Sequence, residues 1–397
     1  MPLRVLLAAV VATTAVAPIR LSLRAQPPAP PKHATLDSLI TQQMADAGIM
    51  GLGAAVIVNR KIVWMQGYGF ADRERTRPFT VNTTMGVGSI AKTFTGAAMM
   101  RAVQEGKLSL DEDINRYLPF RVINPYHPSE KITLRHLATH TSGITDRWAV
   151  YSGTYHYGGD APEPLGTFLQ SYFAPDGKHY ARDNFLDAKP ATRRDYSNIG
   201  AALAGYIVER AVGEPLNRYT RQRIFTPLKM TGTGWFLSEV DRANLSTLFV
   251  SQNGHTIPLP PYSGTTYPDG GIRTSVAELS RFFIALLNRG EYDGVRILDT
   301  RWADEMLRFQ FTDANPPDGY GPGKGNSGLF WRTKFNGTRM GHGGNDPGLQ
   351  TEMLSTLDRD VGLILFMNTS LSAPEAKAAN TIFTALWDFA EARKAAP

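Results

Sequence analysis

Strand-like segments near both ends of the chain, with helical patterns between them, constrain the fold more than any other feature. Two runs near the N-terminus, Leu52–Val58 and Ile62–Tyr68, are joined by three polar residues and predict a β-hairpin. Near the C-terminus, strands are predicted at Leu329–Thr333, Leu349–Ser355 and Val361–Met367. Strands from both ends are expected to join in one sheet, which predicts an α/β fold with a mainly helical subdomain inserted.

Helical patterns fill the middle of the chain and flank the strands. The sequence predicts helices at Thr35–Gly48, Ile199–Arg210, Ser275–Leu287 and Ala373–Arg393. We therefore predict one domain over residues 34–397. Within it, residues 34–88 and 266–397 form the α/β part, and residues 89–265 form the helical part.

The residues before this domain carry the pattern of an export signal. Residues 1–25 combine a basic start with the uncharged run Val5–Ala17 and small residues suited to cleavage, which is typical of a secretory signal peptide. Residues 26–33 follow as a proline-rich spacer. We therefore predict a periplasmic or secreted protein with no stable membrane anchor after cleavage. An uncleaved anchor is the alternative.

Composition excludes several classes of function. The chain has no cysteine, which excludes disulfides, thiolate metal sites and a cysteine nucleophile. Loss of the three arginines in residues 1–25 lowers the formal charge from +6 to +3, and no run of Lys and Arg indicates a nucleic-acid groove. We predict no nucleic-acid partner.

The segment GVGSIAKTFTG places Ser89 three residues before Lys92, where a glycine-flanked turn meets good helix formers. Residues i and i+3 share a helix face, so the hydroxyl and the amine are expected to be neighbours. A serine hydroxyl needs a nearby base to act as a nucleophile, and Lys92 can serve if desolvation disfavours its charged form. Taken alone, the pattern is more often a serine N-cap followed by a solvated lysine.

Two further patterns occur later in the chain. Tyr196 and Asn198 stand two apart, directly before the predicted Ile199 helix. His342 precedes Gly343 and Gly344. Each pattern is weak by itself, but their order along the chain is informative.

In this order the motifs resemble those of the serine β-lactamase and penicillin-binding-protein-like hydrolases. In particular, the chain resembles class C β-lactamases, DD-carboxypeptidases of the S12 peptidase group and family VIII carboxylesterases. The resemblance includes HLATHTSG (His136–Gly143) and YPDGGIRTSVAELSRF (Tyr267–Phe282) and covers nearly the whole predicted domain. It implies a β-lactamase-like fold, with an antiparallel sheet flanked by helices, and a serine hydrolase that acts through an acyl-enzyme.

The chemistry of these residues fits that implication. Ser89 is the expected nucleophile, and Lys92 and Tyr196 can pass its proton to the leaving group. Which of the two accepts the proton first stays open at this point. Asn198 can orient Lys92 and hold a substrate amide.

The third motif is expected to lie beside the acyl group. The glycines after His342, Gly343 and Gly344, allow close approach of a strand backbone. The resemblance implies an oxyanion hole formed by the backbone N–H groups of Ser89 and Asn345.

The third motif also departs from the lactamase pattern, which is usually K-T-G. Gly343 lacks the hydroxyl that would help to hold a carboxylate, and a histidine at 342 is mostly neutral at pH 7. The sequence therefore favours an esterase or a peptide or amide hydrolase that acts on a small-molecule or peptide substrate. A β-lactamase or D-alanyl-D-alanine carboxypeptidase is one alternative, and a non-catalytic cell-wall ligand sensor or scaffold is another.

Two histidines have the spacing of a possible metal site. His136 and His140 have the i, i+4 spacing of a zinc pair, but the glutamate of H-E-x-x-H is missing. The resemblance makes both histidines structural, so we predict no metal and no cofactor.

Overall fold

The computed structural model describes residues 33–252, 255–320, 325–373 and 375–395. The predicted signal peptide and all but the last residue of the predicted spacer lie outside these ranges. The α-helices are α1 (His33–Ala47), α2 (Ala91–Gln104), α3 (Leu134–Ala138), α4 (Trp148–Tyr151), α5 (Leu165–Phe173), α6 (Asn198–Val212), α7 (Leu216–Thr220), α8 (Val276–Leu287), α9 (Thr300–Leu307) and α10 (Ala376–Ala395). A π-helical turn, Arg221–Phe225, follows α7.

Short 3-10 turns connect several of these elements. They span Gly88–Ile90, Ile114–Arg116, Ser152–Thr154, Arg182–Asn184, Leu237–Glu239 and Tyr267–Asp269. The strands are β1 (Gly51–Val58), β2 (Lys61–Gly69), β3 (Met85–Gly86), β4 (Tyr155–Tyr157), β5 (Leu248–Gln252), β6 (His255–Leu259), β7 (Tyr262–Gly264), β8 (Arg273–Thr274), β9 (Glu291–Tyr292), β10 (Val295–Arg296), β11 (Arg332–Lys334), β12 (Arg339–Asp346), β13 (Leu349–Thr356), β14 (Val361–Met367) and β15 (Thr369–Ser370).

The main sheet combines both ends of the described chain. Its order is β11-β12-β13-β14-β1-β2, and every neighbouring pair is antiparallel. This arrangement confirms the predicted antiparallel sheet flanked by helices. The division of the domain into residues 34–88 with 266–397 and residues 89–265 stays a prediction.

One predicted strand is displaced. The apolar run Leu329–Thr333 predicted a strand over its whole length, but β11 begins only at Arg332. Phe330 has a φ of 55°, in the left-handed region that breaks a strand, and its side chain is buried. The apolar residues before β11 therefore form a turn that faces the core, which local pattern cannot distinguish from a buried strand.

The central strands are buried on both faces, and their side chains alternate between two cores. In β1, Leu52 and Val56 face a core that includes α1 and α10, whereas Ala55 and Ile57 face the larger core on the other side. β14 alternates in the same way and is buried along its whole length. A slip of one residue would exchange the two cores, so the register is strongly specified.

Helix α2 is the central helix of the larger core. Its residues from Ala91 to Met100 are all buried, and it packs against α6 and α9. A helix that is apolar on every side belongs in an interior. The one ionisable side chain among those ten residues is Lys92. Within the described ranges, no helix has the length and apolar character needed to cross a membrane.

Candidate active site

Ser89 lies in the 3-10 turn that leads directly into α2. The backbone carbonyl of Val87, just before this turn, accepts a hydrogen bond from Thr351 Oγ1 at 2.9 Å, which ties the turn to β13. The Ser89 side chain is partly exposed. The first N–H groups of a helix have no intrahelical acceptor, so the backbone N–H at this position suits an oxyanion.

Lys92 is completely buried beneath Ser89. Its Nζ lies 3.1 Å from Ser89 Oγ, 2.7 Å from Asn198 Oδ1 and 2.7 Å from the backbone oxygen of Asp269. An ammonium donates three hydrogen bonds, and all three acceptors are present. A neutral amine donates two and turns its lone pair to the serine hydroxyl, so the same geometry accommodates either protonation state.

The surroundings of Lys92 favour the ammonium. Burial opposes the charge, but the side chains of Tyr196, Asp269 and Asp346 outweigh it, and together they raise the pKa of Lys92 above its ordinary value. From the sequence, Lys92 was expected to act as a neutral base because desolvation would disfavour its charged form. That expectation is wrong in direction, because burial comes with acidic neighbours that no local pattern indicated.

Asp146, which the sequence analysis missed, fixes the orientation of Asn198. Asn198 Nδ2 and its backbone N–H donate to Asp146 Oδ2 at 2.9 and 2.8 Å, while Ser197 Oγ and the backbone N–H of Ile199 donate to Oδ1, each at 2.9 Å. The amide nitrogen of Asn198 must therefore face Asp146, and its oxygen faces Lys92. No sequence signal identified Asp146, since it lies 52 residues from Asn198 and follows the motif HLATHTSG only as one aspartate among many.

The ring of Tyr196 lies over the other side of Lys92. Lys92 Nζ is 5.1 Å from its ring centroid, and the ring centroids of His140 and His342 lie 4.4 and 6.2 Å away. Two guanidinium groups, those of Arg194 and Arg332, also lie within 6 Å of the Tyr196 ring, at 5.7 and 5.8 Å. Three cationic side chains, those of Lys92, Arg194 and Arg332, therefore lie around the Tyr196 ring.

His342 is 2% exposed, and its Nδ1 lies 2.7 Å from the backbone oxygen of Gly343. Because a carbonyl oxygen only accepts, Nδ1 carries the hydrogen. Burial, together with Arg332 and Lys92, lowers the pKa of His342 well below its ordinary value. The imidazole is therefore neutral across the ordinary pH range and does not supply a charge for a carboxylate.

Two glycines of the third motif mark close approaches of strand β12. A Cβ on Gly344 would lie 2.1 Å from the backbone oxygen of Val87, so only glycine lets β12 pack against the Ser89 turn. A Cβ on Gly343 would meet Glu352 Oε2 at 2.6 Å. A side chain at position 343 would thus face Glu352 on β13, and Gly343 does not line the cavity beside Ser89.

One cavity brings four of the eight predicted site residues together, namely Ser89, Tyr196, Asn198 and Asn345. Its volume is about 560 Å³, and it is lined by Ser89, Trp148, Tyr151, Ser152, Tyr155, Tyr157, Tyr196, Asn198, Asp269, Asn345, Asp346, Pro347 and Ser370. His342, Gly343 and Gly344 lie outside this lining. Asn345 is exposed at the cavity edge, where β12 nears its end.

The two histidines of the HLATHTSG segment make structural hydrogen bonds. His136 Nδ1 accepts from the backbone N–H of Thr133 at 3.3 Å, and His140 Nδ1 accepts from that of Ser197 at 3.2 Å. Burial lowers the pKa of His136 to about 4. Among the described residues, no group of three His, Cys, Asp or Glu side chains is arranged to hold a metal ion.

The comparisons with known proteins agree on one family. The family model described as Beta-lactamase matches residues 36–383. Beta-lactamase-like protein 2 of Dictyostelium discoideum is 25% identical over 279 residues, covering 68% of this chain and 48% of that protein. Esterase EstB of Burkholderia gladioli is 28% identical over 214 residues, covering 53% of each chain.

Solved structures show the same fold. The octameric penicillin-binding protein homologue from Pyrococcus abyssi superposes with a TM-score of 0.68 at 24% identity, covering 88% of this chain and 77% of that one. The chain spans about half the length of the curated relatives it matches.

Proposed function

Because the chain belongs to the beta-lactamase family, whose hydrolases include esterases and carboxypeptidases, we propose that it is a serine hydrolase that cleaves an ester or amide bond through a Ser89 acyl-enzyme. One observation carries the proposal. A fully buried lysine amine lies 3.1 Å from the hydroxyl of a partly exposed serine at the floor of a cavity. A solvated lysine after an N-cap serine would not be buried among three acceptors.

Acylation begins when Ser89 Oγ attacks the acyl carbon. We assign the first proton acceptor to Tyr196, because the surroundings of Lys92 favour its ammonium and hold its three N–H groups on fixed acceptors. The same proton then passes to the leaving alcohol or amine, and the acyl group stays on Ser89. Water later attacks the ester, its proton returns through Tyr196 to Ser89 Oγ, and the acid leaves.

The negative charge that develops on the acyl oxygen needs preorganised donors. The backbone N–H groups of Ser89, at the entrance to α2, and of Asn345, on β12, are assigned to this task. Gly344 supports it, because its lack of a side chain lets β12 approach the Ser89 turn.

Within the class, an esterase or a peptide or amide hydrolase is favoured over a β-lactamase or D-alanyl-D-alanine carboxypeptidase. The latter substrates carry a carboxylate beside the scissile bond. The nearest third-motif side chain, His342, is buried and neutral, and the described part of the cavity lining carries two aspartates and no Lys or Arg. Such a lining disfavours an anionic group.

The test compares p-nitrophenyl esters, nitrocefin and D-Ala-D-Ala peptides with wild type, Ser89→Ala and Ser152→Ala. Ser152 is the matched control, since it lines the same cavity without contacting Lys92. We expect ester hydrolysis by wild type and Ser152→Ala, and none by Ser89→Ala. Equal rates for Ser89→Ala and wild type exclude the acyl-enzyme, and absence of turnover by wild type on every substrate favours the non-catalytic sensor.

The same proposal includes export. Residues 1–25 carry a basic start and an uncharged run, which favours cleavage and release to the periplasm or outside the cell, with no stable anchor, nucleic acid or cofactor as partner. N-terminal sequencing of protein recovered from a periplasmic extract checks this directly. A chain that retains Met1 and sediments with membranes contradicts it.

A further inference from the structure

The cavity beside Ser89 has an aromatic wall that the proposed reaction does not use. The wall comes from one segment, residues 148–157, which is held in place because β4 pairs with β7. Trp148 is 68% exposed and Tyr157 is 49% exposed. The Trp148 and Tyr151 ring centroids are 5.9 Å apart, and those of Tyr151 and Tyr155 are 6.0 Å apart at 87°. Large exposed aromatic faces in a cavity indicate a ligand that is attracted to them.

Two carboxylates, those of Asp269 and Asp346, line the cavity beside this wall. Asp346 Oδ1 accepts from Tyr155 Oη at 2.7 Å, while its Oδ2 has no donor among the described residues. The Asp269 carboxylate accepts from Tyr151 Oη at 3.2 Å. Among the described residues that line the cavity there is no Lys or Arg, and the nearby ammonium of Lys92 lies beneath the cavity with three acceptors of its own.

The combination of aromatic rings and carboxylates selects for positive charge. Aromatic faces attract cations, and the attraction grows when the cation is desolvated. Burial raises the pKa of Asp346 and raises that of Asp269 to about 7, and the Lys92 ammonium opposes both shifts. A second cation, held between the rings and Asp346, would stabilise the Asp346 carboxylate further.

We propose that this wall and Asp346 form a subsite for an ammonium group in the acyl part of the substrate. Amino-acid esters and amides, or esters of quaternary ammonium acids, have this chemistry. The acyl side is assigned because Asp346 directly follows Asn345, whose N–H is assigned to the acyl oxygen, whereas Tyr196 protonates the leaving group. The inference rests on the proposed serine hydrolase function and names its substrate class.

Three p-nitrophenyl esters of the same length test the subsite with a constant leaving group. They are the 4-(trimethylammonio)butanoate, its neutral isostere 5,5-dimethylhexanoate and the anionic hemiglutarate. We expect the wild-type kcat/KM to be at least about tenfold higher for the cationic ester than for the neutral ester. The anionic ester is expected to be the poorest of the three.

Asp346→Asn and Trp148→Leu are expected to lower the cationic-to-neutral ratio of kcat/KM by several-fold each. Trp148 is mostly exposed, so its replacement leaves the fold intact. Asp388→Asn, an exposed aspartate on α10 outside the cavity lining, is the matched control and should leave the ratio unchanged.

Three results overturn the subsite, and each has its own meaning. If wild type hydrolyses the cationic and neutral esters equally well, the subsite is wrong while the serine hydrolase proposal stands. If wild type hydrolyses none of the three and a fluorophosphonate does not label Ser89, the proposed function fails and the subsite fails with it. A ratio that is high but unchanged in both variants assigns the cation to another surface and also overturns the inference.

Discussion

Replacing Asp146 with alanine should impair the reaction although Asp146 does not reach the substrate. Its carboxylate accepts four hydrogen bonds, and two of them come from Asn198. Without them the Asn198 amide is free to rotate and present its nitrogen, a donor, to the Lys92 ammonium, also a donor. The 2.7 Å bond between Asn198 Oδ1 and Lys92 Nζ is then lost.

The magnitude follows from the bonds removed. A hydrogen bond to a charged group is worth about 1.5–3 kcal/mol, so loss of the Asn198–Lys92 bond should lower kcat/KM by about 10- to 150-fold, mainly through kcat. Stability should fall by roughly 2–4 kcal/mol, because Asp146 also caps the first turn of α6. Asp146→Asn retains one acceptor oxygen and should give intermediate values.

The assay measures kcat and KM on a neutral p-nitrophenyl ester well below the unfolding temperature, alongside urea unfolding. Asp160→Ala is the matched control, since Asp160 accepts from the backbone N–H groups of Leu237 and Ser238 at 2.6 and 3.0 Å, away from Ser89. It should cost stability and leave kcat unchanged. If Asp146→Ala loses stability but keeps kcat within twofold of wild type, Asp146 is only a helix cap and the positioning argument is refuted.

Three further predictions address the sheet, a buried acid and His342. Gly344→Ala should lower stability by about 1–3 kcal/mol and should also lower kcat/KM, because the new Cβ meets a backbone oxygen. Gly153→Ala is the control, because the space around its Cβ is open. Urea unfolding and kinetics of this control should match those of wild type. Burial raises the pKa of Asp269 from 3.8 to about 7. The protonated carboxyl therefore contributes its full stability below pH 3.8, and this contribution is lost as the pH rises to about 7. The unfolding temperature of Asp269→Asn relative to wild type should therefore rise from acidic to alkaline pH, and a constant difference contradicts the raised pKa. Since the pKa of His342 lies well below its ordinary value, the ratio of kcat/KM for anionic and neutral esters should change near neutral pH only through Asp269, and equally in wild type and His342→Gln. A fall through pH 6.5 that His342→Gln abolishes shows a titrating imidazole.

The sequence was sufficient for those parts of the fold that local pattern determines. β1, β13 and β14 are apolar or alternating runs, and each lies where it was predicted. β12 has three glycines and a charged end, so its propensity for strand is low, and it forms because β11 and β13 pair with it. Tertiary packing also explains why the predicted start of β11 was wrong. The apolar residues before Arg332 are buried in the core and do not extend the strand.

Prediction of the site had a similar limit. Spacing placed Ser89 and Lys92 on one helix face, and the structure brings Tyr196 and Asn198 to them. The electrostatics were not predictable, because the groups that set the charge of Lys92 lie far away in sequence. Asp269 lies in the segment YPDGGIRTSVAELSRF and Asp346 directly follows Asn345, but no local pattern indicated that these carboxylates would come close to Lys92 or that Asp146 would hold Asn198.

The proposed mechanism requires a covalent acyl-enzyme on Ser89, which mass spectrometry of the intact protein during turnover can detect. Wild type mixed with a slow p-nitrophenyl ester and quenched in acid should gain the mass of one acyl group, and peptide mapping should locate it on Ser89. Ser152→Ala should gain the same mass, and Ser89→Ala should not. Steady turnover by wild type with no acyl adduct, or an adduct retained in Ser89→Ala, would contradict the assignment.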